Sequence, residues 1–151
     1  MNRYDDIIQF WFGRVEHTVV PSENRARIWF GDDADVDEAV RQQFAEDLEK
    51  AMSGQYSDWL QGSRGQLALI LLLDQFSRHI YRDTSQAFSQ DYQALRITLN
   101  GIEQEHDHQL SLIERVFYYF PLLHSEELCH QESALRAYSM LEELAFYETH
   151  V

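Results

Sequence analysis

The sequence predicts an all-α fold. Apolar residues recur at helical spacing along most of the chain. Capping patterns precede two of these stretches, Asp35 with Glu38 and Ser111 with Glu114, each offering an oxygen to the free amides of a helix start. No strand-like alternation is evident, and two Pro and six Gly leave little material for a turn-rich β-sandwich.

Taken in order, residues Asp5 to Phe12 read as a short helix ended by Gly13. Arg14 to Asn24 lacks periodicity and holds Pro21, so it reads as a loop. A short helix is expected over Glu23 to Phe30, closed by Gly31. Asp35 then opens a long helix with the stripe Val36, Val40, Phe44, Leu48, Ala51 and Met52, and Gly54 ends it. A second long helix is expected from Ser63 to about Tyr81. Its middle, Leu67 to Leu73, is apolar all round, which marks the central, buried element. Asp83 with Gln86 starts a third helix, to about Glu103. Ser111 starts a fourth, which Pro121 stops. Ser125, with Glu126 and Glu127 at the positive end of the helix dipole, opens the last. Its stripe is Leu135, Tyr138, Leu141, Leu144 and Ala145. Successive pairs look like antiparallel hairpins, although no repeat of about thirty-four residues is visible.

The chain has 151 residues, consistent with one helical domain over residues 1–151. It carries 12 Lys plus Arg against 26 Asp plus Glu, a formal charge of −14. That surface repels phosphate backbones and anionic lipids, so neither nucleic acid nor membrane is an expected partner. The start, Met1 to Asp6, is acidic where a signal peptide would be basic, and no apolar run reaches bilayer length. One cysteine, Cys129, fits a reducing compartment. A cytoplasmic location is the expectation.

Four groups of residues invite chemistry. Asp74 and Arg78 lie four apart on the central helix and can pair, either as a polar site or as a strut between helices. The strut is the simpler account. His124, Ser125 and Glu126 are consecutive, but neighbouring helical residues point apart, so a hydrolase triad is not expected. His124 alone could serve as a general acid or base, its ring near Arg115. Glu127 with His130, and Glu105 with His108, have the spacing of bundle metal ligands. Solvated residues explain both more simply: His106, His108, His130 and His150 are expected to face water, and no metal is expected. Cys129 reads as a small half-buried residue. Phe117 to Phe120 read as a packed face with tyrosine hydroxyls at its rim. The glycines are scattered singly, so no phosphate cradle exists and no cofactor is expected.

Taken together, several motifs resemble the bacterial domain of unknown function 924 family. They are Phe10-Trp11-Phe12-Gly13, Trp29-Phe30-Gly31 with Asp35 and Asp37, and Leu71-Leu72-Leu73-Asp74-Gln75-Phe76 with Arg78 and Ile80-Tyr81-Arg82. Pro121-Leu122 with His124-Ser125-Glu126 and Gln131-Glu132 completes the set. The resemblance spans nearly the whole chain. It implies a tetratricopeptide-repeat-like stack of antiparallel helical hairpins and brings no activity with it. Members of that family carry Pro, Asn and Gly where this chain has Ser77, His79 and Asp83. They also continue past the position of His150 into an arginine- and proline-containing tail.

The expected role is a binding module for a peptide or small molecule, in a polar groove beside the central helix. Its candidate lining is Asp74, Gln75, Arg78, Tyr81 and Arg82 from that helix. Arg115, Tyr119, His124, Ser125 and Glu126 join from the fourth helix and the start of the last. A small-molecule enzyme using His124 and a carboxylate is the alternative. A structural or self-associating protein, with exposed aromatics on its first and last helices, is the third.

Overall fold

The computed structural model describes residues 2–13 and 25–150, and among them only helices and turns occur. The predicted loop over Arg14 to Asn24 lies outside the described residues. Helix α1 (Arg3–Phe12) buries Ile7, Ile8, Trp11 and Phe12. Helix α2 (Ala26–Phe30) is tied to α1 by the Trp29 indole, which donates to the Trp11 carbonyl at 2.8 Å. Helix α3 (Ala34–Met52) follows. Its cap is Asp33, not Asp35: the Asp33 side chain accepts from the amides of Asp35 and Val36, while its own backbone stays extended. The helix ends as expected. Gly54 adopts φ +82°, and the Gln55 amide reaches back to the Lys50 carbonyl at 2.9 Å.

The central element is a single rod in three parts. Helix α4 (Ser63–Ile70) runs into a π turn (Leu71–Phe76) and then into helix α5 (Ser77–Ile80). In the π turn the Ser77 amide bonds the Leu72 carbonyl, five residues back. Every residue from 65 to 77 is buried, as the all-round apolar run predicts. Helices α1 and α3 pack on the rod, as do helix α6 (Asp91–Glu103) and helix α7 (Leu112–Tyr118), and α1 meets α7 where Trp11 and Phe12 lie against Phe117. Helix α8 (Phe120–His124) lies between α6 and helix α9 (Leu128–His150).

Three boundaries depart from expectation. Asp83 does not cap a helix. It sits at φ 66°, a left-handed turn, and α6 begins only at Asp91, after a 3₁₀ turn over Ser85–Phe88. Pro121 does not stop a helix either. Helix α7 ends at Tyr118, and Pro121 occupies the first turn of α8, where no amide is needed. Ser125 lies three residues ahead of α9, accepting from the Glu127 amide at 3.2 Å. The capping box of α7 forms as predicted from Ser111 and Glu114.

Helix α9 turns most of its predicted stripe to the core: Leu141 is buried, and Tyr138, Leu144 and Ala145 pack against it, with Ala134 buried beside them. Leu135 departs from the stripe, at 68% exposed. Cys129 is exposed rather than half-buried, on the outer face of the same helix. Of the α1 aromatics, Trp11 and Phe12 are inside the core and Tyr4 and Phe10 pack against it; on α9, Tyr138 packs against the core while Phe146 and Tyr147 are exposed. No described helix is long and apolar enough to cross a membrane.

Candidate functional site

Asp74 stands at the middle of the π turn with no exposed surface. A buried carboxylate must be paired and hydrogen-bonded. Oδ1 accepts from the Arg78 guanidinium at 3.0 Å and from His124 Nδ1 at 2.7 Å, and Oδ2 accepts from Gln75 Nε2 at 2.7 Å. Arg78 then forks onto Asp91, the first residue of α6, at 2.9 and 3.0 Å, and lies over the Phe88 ring. One carboxylate thereby joins the rod, α8 and, through Arg78, α6. Burial and the nearby Asp74 charge also push the Tyr138 hydroxyl of α9 above the usual range.

An ionised carboxylate only accepts, so His124 carries its proton on Nδ1. Its Nε2 has no hydrogen-bond partner among the described residues, and the ring is partly exposed. Asp74, Asp91 and His124 offer ligand atoms within 4.8 Å of one another. The Arg78 guanidinium binds both carboxylates there, so a metal ion would have to displace it.

The other sequence candidates do not converge on this cluster. Arg82 turns to Asp37, donating at 2.6 and 2.9 Å, and His79 Nδ1 lies 2.6 Å from the same carboxylate. Burial pushes the Asp37 carboxyl up, but Arg82 and His79 outweigh it and hold the pKa below the usual range. The charged form is thus favoured in the fold. Its contribution to stability is full above the unfolded value, near 3.9, and is lost as pH falls through the lower folded value. Asp37→Asn should therefore lower stability at neutral pH and flatten its fall below about pH 4. Urea unfolding across an acidic pH series checks this.

Arg115 and Tyr119 form a third group. The Tyr119 hydroxyl donates to Asp107, and Arg115 Nε donates to the hydroxyl at 3.2 Å. Burial and the Asp107 carboxylate push the Tyr119 hydroxyl up to about 12. Arg115 is therefore engaged at Asp107, and His124 is held instead by Asp74. The tyrosine hydroxyls of α7 face inward rather than along a rim: Tyr118 bonds Gln66 at 2.8 Å. His106 is half-buried against Gln66, and His130 against Ser125, so neither is free in water as expected. Tyr81 is half-buried against the core, and Glu126 is exposed. Glu127, Cys129 and His130 do lie within 4.8 Å of one another, at the start of α9.

A ligand-sized space lies on another face of the rod. A cleft of about 630 Å³ opens between Tyr56 and Leu60, after α3, and Tyr92 and Arg96, on α6. Leu69 and Leu73 of the rod form its floor. Among its walls, Tyr56 is fixed by donating to Asp47 at 2.5 Å and by stacking on Trp59 at 3.8 Å. Gln66 is fixed by Leu60 and Tyr118. None of the ten sequence candidates lines this cleft. One signal in the sequence did mark it. Tyr92, Arg96 and Asn100 are spaced by four, a polar and aromatic stripe along one face of α6.

A buried central rod, with ion clusters along it and a cleft beside it, defines an all-α protein. The chain belongs to the DUF924 family, whose description is "bacterial protein of unknown function" and whose model matches residues 7–149. It is similar to a solved protein of unknown function, ATU0120 from Agrobacterium tumefaciens. The two are 31% identical with a TM-score of 0.78, over 91% of this chain and 73% of that one. No curated protein matches it.

Proposed function

We propose that this protein binds a small molecule in the cleft beside the central rod. One observation carries this: a buried apolar floor meets an apolar rim left in water. Leu69 and Leu73 are buried, while Leu60 and Tyr92 at the rim are 41% and 69% exposed. Exposed apolar surface around a concavity is gained back when a ligand covers it. The volume falls in the range of small-molecule sites and is short for a folded partner. The helices, taken as a tetratricopeptide-like stack of hairpins, would present such a surface between neighbouring pairs.

Amide shift mapping with a library of small fragments tests the proposal. Shifts should cluster at Leu69, Leu73 and Ile97. A library that moves none of these amides overturns it.

A second reading is favoured by His124. Its Nδ1 is held by a buried carboxylate and its Nε2 is unpartnered among the described residues, the arrangement of a general base. In that case the fragments would shift the amides around His124 and α8 instead.

A further inference from the structure

Resting on the cleft as a binding site, we infer that its ligand is a small carboxylate with an apolar body. The charge of the lining supports this. The chain carries 26 acidic residues, yet no Asp or Glu lines this cleft. The clefts of about 610 and 600 Å³ are different: Asp58 lines one, and Glu46 and Asp47 line the other. The cation in the cleft is Arg96. It has no carboxylate partner among the described residues, and its one hydrogen bond is to the Tyr92 hydroxyl at 3.3 Å.

In a protein of net charge −14, most cations find an acid. Arg3, Arg41, Arg64, Arg78 and Arg82 all do. Arg96 stands on α6 where the residues one turn away are Tyr92 and Asn100. The cleft is therefore a gap in a repulsive surface, with a guanidinium at its edge. A cationic ligand would be better held almost anywhere else on the molecule. A phosphate, with two charges, would call for more donors than one arginine. One carboxylate matches one guanidinium, with the Asn100 amide beside it as a neutral donor. The apolar body would lie on Leu69 and Leu73 and cover Leu60 and the Tyr92 ring.

Three probes of one shape test this: 4-phenylbutyrate, 4-phenylbutanamide and 4-phenylbutylamine, titrated by calorimetry. The acid should bind about tenfold more tightly than the amide, the size expected for one charge-assisted hydrogen bond. The amine should bind weakest. Arg96→Gln, at an exposed site where folding is not at stake, should bring the acid down to the amide. Arg96→Lys should keep part of the preference. Equal binding of acid and amide, or a preference that survives Arg96→Gln, overturns the carboxylate while leaving the binding site standing. Failure of all three probes to bind overturns both.

Discussion

Asp74→Ala is expected to cost about 3–5 kcal/mol in urea unfolding, because it leaves the partners of a buried carboxylate uncompensated. The carboxylate is fully buried and accepts from three side chains. Without it, Arg78 keeps Asp91, but Gln75 and His124 lose the group that orients them. His124→Ala should cost less, since its ring is partly in water. A loss of the larger size makes Asp74 a strut between the rod, α8 and α6. A loss under about 1 kcal/mol, the scale of a surface pair, would mean the cluster is kept for another purpose, and the His124 reading would gain.

Gly101→Ala is expected to be the second large effect. A Cβ at this position in α6 would lie 1.6 Å from the Tyr118 hydroxyl. Tyr118 is fully buried and its hydroxyl bonds Gln66, so it has nowhere simple to go. Overpacking of this kind costs about 1–3 kcal/mol. Displacing the hydroxyl from Gln66 adds about 1–3 kcal/mol for the unmade bond. The better helix propensity of alanine returns only about 1 kcal/mol. The worst clash is with the hydroxyl oxygen, and the ring carbon that carries it would lie 2.9 Å away, so Tyr118→Phe should relieve most of the strain but not all of it. The double variant should therefore be more stable than Gly101→Ala alone, a coupling that a thermal-unfolding cycle reads directly.

The fold was legible where local chemistry was strong. The apolar run Leu67 to Leu73 announced the buried rod, and Ser111 with Glu114 announced a helix start. Boundaries failed where two residues compete for one role. Asp33 and Asp35 are both good caps, and only the backbone at Asp33 decides between them. Asp83 looked like a cap but took a left-handed turn. The candidate site was legible in part. Asp74 and Arg78 do pair, and Gln75 and His124 join them. Arg82, Arg115 and Tyr119 were drawn elsewhere by Asp37 and Asp107, acids whose approach depends on packing between distant segments. The missing acids of the cleft are harder still to read. They are a property of a surface assembled from several elements, not of any stretch of chain.

The π turn gives the rod one residue of slack. Deleting a single residue within 71–73, ahead of Asp74, would let the chain close into plain α-helix while Arg78 and His79 keep their angular phase. The same deletion within Ser63–Ile70 would turn everything beyond it by about 100°. Arg78 would swing away from Asp91, and His79 from Asp37, in one step. Both ion clusters are thus set to one rotational phase, and the π turn is the place in the rod where chain length can change without losing it.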